Sequence, residues 1–181
     1  VGRGVSYCAV CDGAFFRDQE VAVIGGGNSA LEEALYLTQF AKKVTIVIRR
    51  DVFRAEAQVQ QQVEQNERIT IIRRHVPKQI LDDGNRVIGL VIEDVESKET
   101  TTLTVAGVFP YVGADPAVSF LNGLDICDER GYLLVDEHNE TKIKGIYGVG
   151  DVVAKPLRQV VTAAGDGANA AQHAFPAVKG I

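Results

Sequence analysis

The chain has 181 residues, of which 46% are hydrophobic and 24% are charged, and its formal net charge is -5. This length allows one domain, or one domain plus part of another, and the composition is typical of a globular protein. The acidic balance argues against a nucleic-acid partner, which favours a basic surface. No apolar run approaches the ~20 residues that span a bilayer, and no charged-then-apolar leader opens the chain. We therefore expect no membrane partner and a cytoplasmic location.

The first predicted elements alternate between strands and a helix. A short apolar run at 21–24 predicts a buried strand that ends at Gly25-Gly26-Gly27. Apolar residues at helical spacing predict a helix over 28–37, and a second buried strand follows at 44–48. Strand, glycine turn, helix and strand in this order predict a βαβ unit of the Rossmann-like α/β class.

The later segments predict a mixed arrangement. A helix at 55–64 and a strand at 69–72 are expected to extend the βαβ unit, and alternating residues near 87–95 and 101–105 predict antiparallel strands around a turn at 82–85. After Gly107 the pattern predicts short strands and a final helix that begins near Arg158; the strands are at 108–112, 132–135 and 146–149.

The glycine turn matches the dinucleotide-binding pattern G-x-G-x-x-G/A at Gly25, Gly27 and Ala30. The first glycine turns the chain, the second lets the backbone approach a pyrophosphate, and the small third residue lets helix and strand pack closely. Asn28 or Ser29 is expected to cap the helix, whose N–H groups would hold the pyrophosphate. A merely structural glycine turn is the alternative.

Arginines mark the end of the second strand, where NAD-binding proteins usually carry an acidic residue. Arg49 and Arg50 lie there, and Arg54 follows one helical turn later. Guanidinium groups bind phosphate with two parallel hydrogen bonds, whereas a carboxylate would repel it. The pattern favours a 2′-phosphate pocket, and therefore NADPH over NADH, against the alternative of a solvated basic corner.

A C-x-x-C pair, Cys8 and Cys11, precedes the first strand and is followed by Asp12. This spacing can close a short disulfide ring, and one thiol of such a pair is often acidified. Asp12 could carry the proton that thiol–disulfide exchange must move. The alternatives are an inert surface pair and half of a zinc site, which would have to draw its other ligands from the scattered residues Cys127, His75, His138 and His173. Cys127 is otherwise expected to be a small buried hydrophobic residue.

A flavin is implied because the transfer of electrons from a nicotinamide to a disulfide normally requires one. The segment 141–151 predicts an apolar strand that ends at Asp151, and Arg158, Gln159 and Val160 open a helix rich in small residues. An acidic residue at a strand end can hold a cofactor hydroxyl, and a helix N-terminus can stabilise a reduced flavin. Ordinary helix packing is the alternative, and the chain contains no second G-x-G-x-x-G.

Together these segments resemble the low-molecular-weight thioredoxin reductase family, over essentially the whole chain. The motifs that carry the resemblance are CAVCDGAFF at 8–16, GGGNSA at 25–30, RRDVFR at 49–54, GIYGVGD at 145–151 and RQVVTAA at 158–164. The resemblance implies that Cys8 and Cys11 are the redox disulfide with Asp12 as the acid, and that Arg49, Arg50 and Arg54 bind the 2′-phosphate. It implies FAD contacts for Asp151, Val152, Arg158, Gln159 and Val160.

Two departures from the family pattern concern single positions. The family often has a histidine where this chain has Ile48, and its G-x-x-P-N appears at 113–117 without the asparagine.

The resemblance also implies a two-domain flavoprotein whose NADPH domain is inserted in the FAD domain. We expect residues 1–108 to be the NADPH domain with the Cys pair, and residues 109–181 to be the C-terminal part of an FAD domain whose N-terminal half is absent. The chain contains no Met, so we expect that residue 1 is not a translation start. Hinges are expected near 2–6 and 107–111.

The expected function is NADPH-dependent reduction of thioredoxin or a thioredoxin-like protein, through FAD and the Cys8–Cys11 disulfide, by an enzyme that is a homodimer at full length. One alternative is the flavoprotein subunit of an alkyl hydroperoxide reductase system. Another is a catalytically incomplete NADPH-binding fragment.

Overall fold

The computed structural model describes residues 2–121 and 123–179, which divide into two compact units. The first unit ends at Gly113, and the second begins at Ala114. No helix within the described ranges is long and apolar enough to cross a membrane.

Four parallel strands form the main sheet of the first unit. They are β1 (Glu20–Ile24), β2 (Lys43–Val47), β3 (Ile69–Ile72) and β7 (Gly107–Pro110), and their order in the sheet is β3-β2-β1-β7. Val23 of β1 pairs with Ile46 of β2 on one side and with Phe109 of β7 on the other, and all three side chains are fully buried. The predicted α/β class with a parallel sheet is confirmed.

The helices of this unit have the amphipathic pattern that the sequence predicts. The longest is α2 (Asn28–Leu37), which has the predicted bounds and buries Ala30, Leu31, Ala34 and Leu37. Helix α3 (Ala57–Glu64) begins two residues later than predicted because Glu56 has an extended backbone and serves as its N-cap. The short helix α1 (Ala9–Asp12) and a 3₁₀ turn (Gly13–Phe16) precede β1.

A separate antiparallel sheet contains β4 (His75–Asp82), β5 (Val87–Asp94) and β6 (Thr100–Leu103), in that order. The predicted strands near 87–95 and 101–105 are confirmed. The sequence did not predict β4, because its polar and apolar residues do not alternate regularly, most of them are exposed, and they include Pro77. Proline is tolerated there because β4 lies at the edge of the sheet.

The second unit is dominated by α4 (Val160–Lys179), which begins two residues after the predicted start, and it also contains two 3₁₀ turns (Ser119–Leu121 and Gly150–Val152). The strands predicted at 132–135 and 146–149 are wrong: Leu133 and Tyr147 form only isolated bridges. An apolar run becomes a strand only where another segment of the protein pairs with it over several residues. Cys127 is half-buried rather than fully buried.

Candidate functional site

The glycine turn between β1 and α2 is tight at its first glycine. Gly25 has a φ of +138°, and a Cβ there would lie 2.3 Å from the carbonyl oxygen of Tyr111 and 3.1 Å from the Cβ of Ala30. The turn therefore requires a residue without a side chain at Gly25 and a small residue at Ala30.

The second glycine of the motif faces open space. Gly27 has a φ of -95°, which any residue can adopt, and a Cβ there would meet nothing within 4 Å. Packing inside the described chain therefore does not explain why this position is glycine. An open approach to the start of α2 is what a pyrophosphate needs.

Gly27 is the N-cap residue of α2, and no side chain among the described residues caps this helix. The predicted cap by Asn28 or Ser29 is wrong, because the Asn28 side chain is engaged elsewhere. Its Oδ1 accepts a hydrogen bond from the backbone N–H of Glu56 at 2.8 Å, and its Nδ2 donates to Glu56 Oε1 at 3.2 Å. Asn28 thus ties α2 to the start of α3, and the first N–H groups of α2 keep the donor capacity that anions bind.

A cavity of about 280 Å³ lies at the carboxyl ends of the parallel strands. Its lining brings together the three predicted arginines, Arg49, Arg50 and Arg54, with Gly25 and Gly26. Gly27, Asn28, Ser29 and Ala30 do not line it, although they follow directly along the chain. No carboxylate is among the described residues that line the cavity. The described cavity lining thus carries positive charge and no acidic side chain, which suits a phosphate.

The cavity arginines differ from the arginines nearby in having no acidic partner. Arg73 and Arg74 form ion pairs with Glu64 and Glu96, at 3.2 Å and 3.0 Å. No salt bridge within residues 2–121 and 123–179 includes Arg49, Arg50 or Arg54. These three guanidinium groups therefore keep their donors for a ligand.

His75 also lines the cavity, and the sequence analysis considered it only as a scattered metal ligand. Its backbone N–H donates to the carbonyl of Ile48 at 3.0 Å, so it lies beside the position where the family often has a histidine. Its Nδ1 donates to the carbonyl of Arg73 at 2.7 Å, since a carbonyl can only accept. The pairing of the segment after β3 with the end of β2 brings His75 to the cavity, and no sequence motif signals this contact.

The two cysteines of the C-x-x-C motif form a disulfide, with their Cα atoms 5.3 Å apart. Cys8 is the N-cap residue of α1, and its Sγ accepts a hydrogen bond from the backbone N–H of Cys11 at 3.1 Å. Cys8 is half-buried and Cys11 is exposed, so a partner can reach the bond from one side. Asp12 follows at the end of α1 and is half-buried. Within the described ranges no cluster of three or more His, Cys, Asp or Glu side chains could hold a metal ion.

Two residues that the sequence analysis did not single out contact the backbone between the cysteines. The hydroxyl of Tyr111 accepts a hydrogen bond from the N–H of Ala9 at 2.8 Å and lies beside the carboxylate of Glu33. Burial, and then the charge of Glu33, raise the pKa of Tyr111. Burial also raises the pKa of Glu33 above its usual value, against the opposing effect of the nearby Tyr111 hydroxyl and backbone N–H groups.

The predicted flavin residues lie together in the second unit, around the start of α4. Asp151 and Val152 lie in the 3₁₀ turn, and Arg158, Gln159 and Val160 lead into the helix. Arg158 Nε donates to the carbonyl of Asp151 at 3.2 Å, and its guanidinium lies 4.2 Å from the ring centre of Tyr132. The Asp151 side chain is exposed. An exposed carboxylate and the N-terminus of a long helix are a donor and acceptor set that suits a cofactor hydroxyl and a flavin ring.

The turn that carries Asp151 is held by Asp166 of α4. Asp166 Oδ2 accepts a hydrogen bond from the N–H of Gly150 at 2.8 Å and also pairs with Lys155. The contact with Lys155 is the main reason why the pKa of Asp166 lies below its usual value. These contacts fix the turn against the helix, and the sequence analysis did not identify them.

Known proteins resemble the chain along nearly its whole length. It is 47% identical over 173 residues to a thioredoxin reductase of Listeria innocua and 46% identical over 171 residues to one of Bacillus subtilis. The matches cover 96% and 94% of this chain but 54% of each relative, so the chain spans about half the length of the curated relatives it matches.

A crystal structure of thioredoxin reductase from Streptococcus pyogenes matches the fold with a TM-score of 0.91 and 47% identity, over 99% of this chain and 58% of that one. The family model described as pyridine nucleotide-disulphide oxidoreductase matches residues 1–167. The chain therefore belongs to the pyridine nucleotide-disulphide oxidoreductase family.

Proposed function

We propose that this chain carries the NADPH-binding and disulfide-exchanging part of an enzyme that reduces a protein disulfide, with thioredoxin or a thioredoxin-like protein as the partner. One observation carries the proposal. A cavity lined by arginines without acidic partners lies beside an open glycine turn, in the same compact unit as the Cys8–Cys11 disulfide. The matched relatives and the matched structure are thioredoxin reductases, which supports the choice of partner.

The nucleotide would lie across the carboxyl ends of β1 and β2. Arg49, Arg50 and Arg54 would bind a 2′-phosphate, and His75 would add a fourth polar contact on the same wall of the cavity. The turn from Gly25 to Gly27, followed by Asn28, Ser29 and Ala30 at the start of α2, would hold the pyrophosphate. The absence of a carboxylate from the described cavity lining supports NADPH over NADH.

The flavin would be held by residues of the second unit: Asp151, Val152, Arg158, Gln159 and Val160. Asp151 would accept a hydrogen bond from a cofactor hydroxyl, and the N-terminus of α4 would stabilise negative charge on the reduced ring. In this proposal residues 1–108 serve as the NADPH domain and residues 109–181 as part of an FAD domain. The cytoplasmic location, the homodimer and the hinges remain predictions.

When bound, NADPH would supply a hydride and FAD would supply the two-electron chemistry that connects a hydride to a disulfide. The chain's own residues then perform the exchange. A thiolate of the reduced Cys8–Cys11 pair attacks a sulfur of the partner disulfide, and a mixed disulfide forms as the partner's leaving sulfur departs. The second cysteine attacks the mixed disulfide, which closes Cys8–Cys11 and releases the partner as a dithiol. Asp12 would give the departing sulfur its proton.

The exchange step can be tested without either cofactor. The chain is reduced with dithiothreitol, desalted and mixed with oxidised thioredoxin, and new thioredoxin thiols are counted. The proposal predicts about one thioredoxin reduced per chain. The Cys8→Ser and Cys11→Ser variants should fail to complete the exchange, and one of them should accumulate a mixed disulfide.

Unchanged thioredoxin thiols with the native chain would contradict the partner assignment. Transfer instead to the disulfide of a peroxidase partner would favour the alkyl hydroperoxide reductase alternative. The remaining alternative is a catalytically incomplete NADPH-binding fragment, and flavin absorbance of the purified chain tests it. A colourless chain that binds NADPH is such a fragment.

A further inference from the structure

A half-buried glutamate, of which one carboxyl oxygen is fully buried, contacts the two residues that separate the cysteines. Glu33 lies on α2, and its carboxylate lies beside the backbone N–H groups of Ala9 and Val10 and the hydroxyl of Tyr111. Tyr111 in turn accepts the N–H of Ala9 at 2.8 Å. We call Glu33, Tyr111 and the backbone of Ala9 and Val10 the Glu33 network. It connects α2 and the end of β7 to the backbone between Cys8 and Cys11.

The charge of Glu33 is poorly compensated. Its Oε2 is buried and has no hydrogen-bond partner in the described structure. No salt bridge of residues 2–121 and 123–179 includes Glu33. The titratable groups that face the Glu33 network are Glu32 on α2, Asp12 on α1 and Tyr111 itself, none of which is cationic. A carboxylate in such surroundings binds a proton readily.

Reduction of the disulfide places a second negative charge in the same region. The two-electron reduction of a disulfide gives a thiol and a thiolate when one proton is taken up. The thiolate would lie next to the backbone that Glu33 contacts, and two like charges in a poorly solvated region raise the proton affinity of both. Protonation of the Glu33 carboxylate removes this repulsion.

We propose that Glu33 is a positioning residue for the Cys8–Cys11 pair that takes up a proton when the disulfide is reduced and releases it when the pair is re-oxidised. The inference rests on the proposed redox role of the pair. In the balanced step, the disulfide and the Glu33 carboxylate accept two electrons from a reduced flavin or a dithiol, together with two protons. The products are one thiol, one thiolate and a neutral Glu33 carboxyl, so the net charge stays at minus one.

The test is the equilibrium of the Cys pair with dithiothreitol, measured by alkylation and mass at several values from about pH 5 to about pH 8.5, a range that brackets the ordinary pKa values of carboxyl and thiol groups. In the native chain, ionised Glu33 opposes the thiolate as the pH rises. Glu33→Gln removes that charge and keeps the shape. We expect the variant to coincide with the native chain at the acid end and to favour the dithiol by about tenfold at the alkaline end, which corresponds to ~30 mV.

Glu67→Gln is the matched control, because Glu67 is an exposed carboxylate of the same unit and is not among the groups that face the Glu33 network, and it should behave as the native chain does. Thiolate absorbance of the reduced chain should appear at lower pH in Glu33→Gln than in the native chain or the control variant. Glu33→Asp keeps the carboxyl and should restore the native pH dependence. If Glu33→Gln does not fold, Tyr111→Phe replaces it, since losing the hydroxyl beside the carboxylate should move the same pH dependence to higher pH.

A difference between Glu33→Gln and the native chain that is equal at every pH would overturn the inference, because it would indicate a purely structural contact. Identical equilibria at every pH would overturn it as well. A Cys pair that dithiothreitol cannot reduce in the native chain is a different result, since it would contradict the proposed function itself.

Discussion

The backbone N–H of Arg54 donates a hydrogen bond to the carbonyl oxygen of Gly26 at 2.7 Å. This contact joins the segment after β2 to the middle of the glycine turn after β1. The arginine cluster and the glycine turn are therefore parts of one wall, even though Gly26 and Arg54 are 28 positions apart in the sequence. A nucleotide that binds at the glycine turn is therefore also positioned relative to the arginines.

The Gly27→Ala variant should bind NADPH more weakly without losing stability. Its backbone angles suit alanine and its Cβ would meet nothing within 4 Å, so the free energy of unfolding should stay the same or rise by ~0.5 kcal/mol. The new methyl group would occupy the approach of the pyrophosphate, so the Kd for NADPH should rise about tenfold or more, a loss of ~1.4 kcal/mol. Urea unfolding and calorimetric titration measure the two effects.

Gly25→Ala is the matched comparison and should give the opposite result. Its positive φ and the overlap of a Cβ with the Tyr111 carbonyl should lower the free energy of unfolding by about 1–3 kcal/mol or more. Native NADPH affinity in Gly27→Ala would show that the open face of the turn is not the pyrophosphate site.

Arg49→Ala combined with Arg50→Ala should remove the preference for a phosphorylated nucleotide. Hydrogen bonds to a charged group contribute about 1.5–3 kcal/mol each, so the Kd for NADPH should rise about 100-fold while the Kd for NADH changes little. Arg17→Ala is the charge-matched control, because Arg17 is exposed and lies over the Phe40 ring rather than at the cavity. Equal losses for NADPH and NADH would argue against a 2′-phosphate pocket.

His75→Ala should weaken NADPH binding about tenfold, as expected for one lost hydrogen bond to a charged group, and leave NADH binding nearly unchanged. The free energy of unfolding should fall by only about 1 kcal/mol, because the variant loses the hydrogen bond from Nδ1 to the carbonyl of Arg73 but keeps the backbone contact with Ile48. A Kd for NADPH equal to that of the native chain would show that the His75 side chain does not bind the nucleotide. Titration of both nucleotides against the variant measures this.

Strong local periodicity explains why the sequence predicted much of the first unit. The bounds of α2 and β3 agree with the predicted ranges because each is an apolar pattern with a clear start and end. The arginines and the Cys pair were also identifiable, since each is a short motif with its chemistry contained in a few neighbouring residues.

Contacts between distant segments account for what the sequence did not reveal. Tyr111 meets Ala9 across 102 positions, and only the pairing of β7 with β1 brings the two together. Glu33 occupies an ordinary position on an amphipathic helix, with no local sign that its carboxyl is buried. In the second unit, the apolar runs at 132–135 and 146–149 pair with other segments only through isolated bridges, so they do not form strands.

Arg158→Ala should weaken flavin binding by the second unit. Arg158 holds the carbonyl of Asp151 and lies on the Tyr132 ring, so its loss should release the turn that presents Asp151. We expect the Kd for FAD to rise about tenfold, as for one charged hydrogen bond, when measured by quenching of flavin fluorescence. Arg130→Ala serves as the control because Arg130 is exposed in the same unit. Equal affinity in both variants would remove Arg158 from the flavin site.

The most direct test of the whole account is a calorimetric titration of the native chain, with Cys8–Cys11 oxidised, by NADPH and by NADH under the same conditions. An arginine-lined phosphate pocket predicts that NADPH binds at least about tenfold more tightly, with one nucleotide per chain. Equal affinity for the two nucleotides, or no binding of either, would contradict it.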